Sequence, residues 1–528
     1  MTSAPRLEVL DVALFEQPFR LRMPFRFGVI TVTHGLQAFV RVRVRLADGR
    51  EGHGYAAEAL GAKWFDKNPA LTDEQNVEQL RKSIEIAADA YRAAPPMSAF
   101  DLYAEHYRDQ LDAGATLELL PLVASYGPAL LDRAVLDALC RIEGISFWTA
   151  MRANLAGMHG HPIAADLAGV DFDSFLASLQ PAAAIEARHT VGLVDPIVAA
   201  DQAPGSRVDD GLPETLEEVV ATYGHRYFKL KVSGRLDADL ERLTRIASVL
   251  DPIRDPIRIT LDGNEQYDDV EAVVQLWSAM ESTPALQRLV DSTLFIEQPI
   301  KRQAALARSV QPLARLRPVI IDESDGDLDA FPRARALGYA GVSSKDCKGF
   351  YKSLMNLARC RQWNAAGEGG YFMSGEDLTT QAGLSVQQDL ALVSLLGLTH
   401  VERNGHHFID GFAGRPLAES ADFLRAHPDL YHAQRGRVRL RIENGLLHIG
   451  SLQCAGFGTP VVPDLSSTPP MPRAAWPSPA GAGAAAAAAI MAAAALPESA
   501  ALPLDSAGPG RARPDGVLPG EPDIESGG

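Results

Sequence analysis

Residues 227–264 read YFKLKVSGRLDADLERLTRIASVLDPIRDPIRITLDGN. The stretch opens on a short apolar strand carrying Lys229 and Lys231, runs through apolar residues at helical spacing, and closes on a second strand ending in Asp262. Lys229 and Lys231 are two residues apart, so on a strand they share one face. The same strand-then-helix unit recurs on either side. Candidate strands lie at 189–193 (HTVGL), 227–232, 257–262, 294–299 (LFIEQP), 318–323 (PVIIDE), 341–345 (GVSSK) and 371–376 (YFMSGE). Helical segments such as LDADLERLTRIASVL, VEAVVQLWSAM and FYKSLMNLARC separate them. Units of about 25–35 residues, seven in succession, predict an α/β fold of the parallel (β/α)-barrel, TIM-like kind. An open nucleotide-binding sheet is disfavoured, because no Gly-rich loop follows the first strand. An eighth strand near 398–404 (LTHVERN) would close the ring.

What ends each strand carries the chemistry. Lys231 is followed by Asp262 after 31 residues, Glu297 after 35, Asp322 after 25 and Lys345 after 23. Each step is about one unit, which puts all five groups at the C-terminal rim, where barrel active sites lie. Three carboxylates crowded at one rim repel one another unless a cation neutralises them. Oxygen donors suit Mg²⁺, and no His or Cys stands at these strand ends to suit zinc. Lysines from an earlier and a later strand would flank the metal on opposite sides of the ring. A metal drawing charge onto a substrate carboxylate, with an amine on each face of the α-carbon, makes a proton-abstraction site. Burial and the cation are expected to depress the lysine pKa values.

The ordered set KLK, LDGNE, IEQP, DES and a later strand-end lysine resembles the enolase superfamily, above all its muconate-lactonising-enzyme branch and relatives of mandelate racemase. The resemblance covers roughly residues 10–455 and implies an enolase-type barrel with an N-terminal cap. It implies Asp262, Glu297 and Asp322 as Mg²⁺ ligands, Lys231 and Lys345 as the two acid/base groups, and Lys229 as an assistant to them. The text KDCKGFYK departs from the Gly-Gly usual after the later lysine and offers Lys348 as a rival. Lys345 is preferred because GVSSK ends on it. Asn264 and Glu323 read as hydrogen-bonding partners of the ligands, while Glu376 and Asp377 in MSGEDLTT stand where substrate choice is expected to vary. His34, in a cap loop, and His406 and His407, after the eighth strand, are candidates for substrate contact. His225 reads as structural. Cys347 lies between two lysines that could lower its pKa, though incidental placement is the plainer reading.

Outside the barrel, residues 7–60 alternate as strands with an Asp-Gly turn in ADGRE, and 73–150 carry helical periodicity. The expected domains are an α+β cap over 1–150, the barrel over 151–432, a return to the cap over 433–458 and a disordered Pro/Ala/Gly-rich tail over 459–528. The 528 residues hold 50 Lys+Arg against 67 Asp+Glu, a net charge of −17, which disfavours nucleic acid and anionic lipid as partners. Four scattered cysteines give no disulfide framework or zinc motif. No secretory signal or membrane-length apolar run is read, so a cytoplasmic, homo-oligomeric enzyme acting on a small-molecule carboxylate is expected. The favoured reaction is Mg²⁺-dependent α-proton abstraction with an enediolate intermediate, leading to racemisation or epimerisation. Dehydration or cycloisomerisation on the same site, a Schiff-base aldolase, and a non-catalytic barrel scaffold or binding module are the alternatives.

Overall fold

A computed structural model describes residues 4–412 and 414–477. The cap is a three-stranded antiparallel sheet, β1 (Leu7–Phe27), β2 (Ile30–Leu46) and β3 (Glu51–Ala59), in that order. In β2, Val40, Val42, Val44 and Leu46 are buried, while Arg43 and Arg45 on the alternate positions are exposed. The Asp48-Gly49 turn joins β2 to β3 rather than β1 to β2, a connection made at Gly28-Val29. Behind the sheet stand α1 (Asp73–Ala93), α2 (Ala99–Thr116) and α3 (Tyr126–Glu143). The last of these is buried from Tyr126 to Cys140 and ends at Gly144 in the left-handed region. It lies so close to β3 that a Cβ on Gly54 would stand 2.0 Å from the Ala134 carbonyl oxygen.

Eight parallel strands follow: β4 (Ala184–Val191), β5 (Tyr227–Lys231), β6 (Arg258–Asp262), β7 (Thr293–Glu297), β8 (Val319–Ile321), β9 (Gly341–Ser344), β10 (Phe372–Gly375) and β11 (His400–Arg403). Each pairs with the next, and β11 pairs in parallel with β4, so the barrel closes. Helices such as Leu236–Leu250, Val270–Glu281 and Leu384–Leu395 lie between the strands in sequence, as a (β/α) barrel requires. All seven strands read from the sequence, and the eighth, are present; the first begins earlier, at Ala184.

Two features of the C-terminal part differ from expectation. The strand-turn-strand at 436–450 does not join the cap sheet. Its first strand, β13 (Arg437–Leu440), forms a hairpin with β12 (Tyr431–Gln434), and its second, β14 (Leu446–His448), pairs antiparallel with β4 of the barrel. The return to the cap comes later. Phe457 stacks on Phe147 with ring centres 3.7 Å apart, and Arg141 of α3 holds the carbonyls of Thr459, Pro460 and Val461. The chain then meets the outer edge of β1 at residues 469–471 and continues onto the helices behind the sheet. Glu16 N donates to Pro469 O at 3.0 Å, Met471 N to Leu14 O at 3.0 Å, and Trp476 Nε1 to Leu117 O at 2.8 Å. This corrects the expected tail for 459–477: a Pro-rich segment cannot build a sheet interior, but it can cover an edge that needs only alternate hydrogen bonds. The remainder of that predicted tail, 478–528, lies outside the described residues. Among the described residues, no helix is long and apolar enough to cross a membrane.

Candidate active site

The barrel register aligns the charged strand ends. Lys231 sits opposite Asp262, and Asp262 opposite Glu297. Lys229 Nζ lies 2.8 Å from Asp262 Oδ2, 2.8 Å from Glu297 Oε2, 2.7 Å from Glu376 Oε2 and 2.9 Å from Glu402 Oε2. Lys231 Nζ donates to Asp262 Oδ2 at 2.6 Å. Lys345 Nζ donates to Asp322 Oδ2 at 2.7 Å. Lys348 donates to Ser343 Oγ at 2.7 Å and pairs with Asp325 at 3.1 Å and Asp322 at 3.4 Å. All of these side chains are buried. Strands β5 and β9 stand four places apart in a ring of eight, so Lys231 and Lys345 face each other from opposite sides with the acids of β6, β7 and β8 between them.

Electrostatics follow from this packing. Burial raises the Glu297 carboxyl well above its ordinary value, with Asp262 and Glu376 adding to the effect against Lys229. Burial would raise Asp262 and Asp322 too, but the lysines prevail and hold both below the usual carboxylate range. Lys229 and Lys345 are held above the ordinary lysine value, since the carboxylates around them outweigh their burial. Both ammonium groups rest directly on carboxylates here, and the depression expected from the sequence is one that a bound cation on those carboxylates would supply. Burial raises the Cys347 thiol, and its lysine neighbours do not offset this.

The residue set suits a hard divalent cation. Its donors are all oxygens from successive strand ends. Glu323 Oε2 and Asn264 Oδ1 are buried without a hydrogen-bond donor. Asn264 Nδ2 donates to Glu323 Oε1 at 3.2 Å, which ties those two groups together beside the ligands.

Several groups escaped the sequence reading. Glu402, at the end of β11, accepts from Lys229, from Thr190 Oγ1 at 2.5 Å and from Asp377 N at 3.0 Å. It stands one residue before the end of its strand, close to where Asp262 and Glu297 end theirs, and that signal was available in HVERN. Glu376, already singled out in MSGEDLTT, is gripped by Arg188, Ser374 and Lys229 and so belongs to the same cluster. The cap contributes residues with no local signal at all. Lys345 Nζ lies 4.1 Å from the centre of the Trp64 ring. Lys67 pairs with Glu265 at 2.5 Å and Glu323 at 3.2 Å. Arg302, after β7, clasps Glu265 with two hydrogen bonds and donates to the Trp64 and Phe65 carbonyls, at 2.9 and 2.6 Å. Deeper in the cap, Arg133 of α3 reaches Asp346, next to Lys345, at 3.1 Å and Glu58 at 3.2 Å.

His34 does not touch this cluster. It lines, with Phe19, Ile30, Leu60, Trp64 and Leu378, a mostly apolar cavity of 160 Å³ between the cap and the loop after β10. His406 and His407 do not face the mouth either: their rings pack with His189 and His225, beside the first strand. Burial, reinforced for His406 and His407 by neighbouring histidines, pushes both well below the ordinary histidine value, and burial takes His225 down to about 4.

A closed (β/α) barrel of eight strands, with buried acids and amines meeting at one rim beneath a separate cap, defines a capped barrel enzyme. Residues 211–426 match the family described as enolase C-terminal domain-like, which spans most of the barrel. Solved structures agree on the fold. A dipeptide epimerase from Enterococcus faecalis V583, complexed with Mg and the dipeptide L-Leu-L-Tyr, is 14% identical with a TM-score of 0.55, over 85% of this chain and 99% of that one. The 2-chloromuconate cycloisomerase of Rhodococcus opacus 1CP is 18% identical with a TM-score of 0.53, over 88% of this chain and 100% of that one. The muconate lactonizing enzyme of Pseudomonas fluorescens is 16% identical with a TM-score of 0.52, over 88% of this chain and 99% of that one. No curated protein matches the sequence.

Proposed function

We propose that this enzyme abstracts the proton α to a substrate carboxylate in a Mg²⁺-dependent reaction, through an enediolate, and that the net reaction is racemisation or epimerisation. The observation that carries this reading is the opposition of Lys231 and Lys345 across a row of strand-end carboxylates. Asp262, Glu297 and Asp322 would hold Mg²⁺, which when bound draws negative charge onto the substrate's carboxylate oxygens. One lysine takes the α-proton and the opposite lysine returns a proton to the other face. Lys229, fixed by four carboxylates, keeps Asp262 and Glu297 in place and supplies positive charge beside them. The cap shields the mouth from water with Trp64, laid over Lys345. Its apolar cavity offers room for a substrate whose non-carboxylate part is hydrophobic. Dehydration and cycloisomerisation share the enediolate and differ in which bond is made or broken beside it.

The test is exchange of the α-hydrogen in D₂O across a panel of small carboxylic acids with added Mg²⁺. Wild type should exchange at least one acid, and Lys231→Ala and Lys345→Ala should each slow its exchange by about 10²–10⁴-fold. Exchange at an unchanged rate in both variants would sink the reading.

A further inference from the structure

A second cluster of buried side chains lies on the other face of the first strand. Along β4, Arg188 and Thr190 reach into the barrel, to Glu376 and Glu402, so His189 between them points outward. His225 stands just before β5, and His406 and His407 follow β11. Pairing of β11 with β4 closes the barrel and brings these distant parts of the chain together, with Arg403 in register with His189. One ring nitrogen from each of His189, His225 and His406 lies within 4.8 Å of the other two. Their ring centres are 5.4 Å (His189 to His225), 5.8 Å (His225 to His406) and 6.0 Å (His189 to His406) apart.

Buried polar atoms normally find hydrogen-bond partners, because leaving one unpaired costs about 1–3 kcal/mol. Here His189 Nδ1, His225 Nε2 and both ring nitrogens of His406 are buried with none. The exception explains the rest. His225 Nδ1 lies 2.9 Å from the Ala187 carbonyl oxygen, which can only accept, so Nδ1 carries the proton and Nε2 keeps a free lone pair. A backbone carbonyl that fixes the tautomer in this way is how metal-binding histidines are oriented. His406 is partly exposed as a residue, while both of its ring nitrogens are buried. No carboxylate belongs to the group, so it does not suit the oxygen-seeking Mg²⁺ of the mouth.

We infer that His189, His225 and His406 form a second metal site, taking Zn²⁺ through three imidazole nitrogens with water in the fourth position. The site is separate from the carboxylate mouth and does not depend on the reaction proposed above. It clips the seam where the last strand meets the first. His407, its ring 5.1 Å from that of His189, packs beside the three and completes their enclosure.

The test uses the untagged full-length protein, stripped with a chelator and titrated with Zn²⁺ and separately with Co²⁺. Wild type is compared with Asp262→Asn and His406→Gln, each shown by circular dichroism to be folded. His406 makes no hydrogen bond through its ring, so replacing it leaves no partner stranded. The expected result is a single tight equivalent of Zn²⁺ in wild type and in Asp262→Asn, with affinity lower by at least roughly 100-fold in His406→Gln. Co²⁺ should give intense visible bands of tetrahedral nitrogen coordination in the first two proteins only, and Zn²⁺ should raise Tm in the same two. Absence of tight Zn²⁺ binding in wild type, its loss in Asp262→Asn, or its persistence in His406→Gln overturns the inference.

Discussion

The mouth of the barrel and the histidine cluster draw on the same strand, yet they solve burial in opposite ways. Inside, Arg188 and Thr190 of β4 join a network in which charges neutralise one another: Lys229 alone touches four carboxylates. Outside, His189 faces rings that hold lone pairs and lack donors. Alternation along one strand thus separates a site held by ion pairs from one left open for a ligand. In the first, each group depends on its partners. In the second, each is independent until something binds.

That difference can be broken by substitution, and the largest effect is expected at its centre. Lys229→Met removes the cation shared by four buried carboxylates, leaving Glu297 without a cationic partner, and should cost at least about 3–5 kcal/mol in urea unfolding. Loss below about 1 kcal/mol would mean that the network holds together without its central cation. Arg302→Ala comes next, at about 3 kcal/mol, because it leaves the buried Glu265 with Lys67 and the residue-302 backbone N–H only. The same residue sets an acid limb. Burial would raise Glu265, but Arg302 and Lys67 outweigh it and hold the carboxyl down at about 2. A carboxyl lowered on folding stabilises the protein above its unfolded value, and that contribution disappears as pH falls from about 4.5 towards 2. Roughly 3 kcal/mol should therefore be lost across that window in wild type and clearly less in Arg302→Ala, read from urea midpoints against pH. His406→Gln in Zn²⁺-free buffer should be the mildest, at most about 1 kcal/mol, since no hydrogen bond is broken. A large loss there would erase the contrast between the two regions.

The barrel was legible because each of its strands is a short apolar run closed by a polar or charged group, and the spacing of those groups matches one strand-helix unit. Asp262, Glu297, Asp322, Lys231 and Lys345 could be placed on one rim from that alone. Glu402 obeys the same rule and was passed over, because the eighth strand was read only as the piece that closes the ring. The cap's contribution was not legible. Trp64 and Lys67 reach the mouth through the docking of two domains, and no local pattern marks a side chain for such a contact. The histidines were hidden for a similar reason: positions 189, 225 and 406 have no ligand spacing in sequence and meet only through the pairing of β11 with β4. Residues 459–477 were misread because composition measures the ability to form a core, whereas an extended chain needs only an edge to lie on.

The segment along β1 has a consequence for the outside of the molecule. With β2 on one side and residues 469–471 on the other, the middle of β1 has no free rim on which a neighbouring molecule could template a further strand. Cleaving the chain after Gly458 would uncover that rim while sparing the catalytic barrel. The shortened enzyme would be expected to turn over normally at first and then to self-associate, becoming sticky before it becomes inactive.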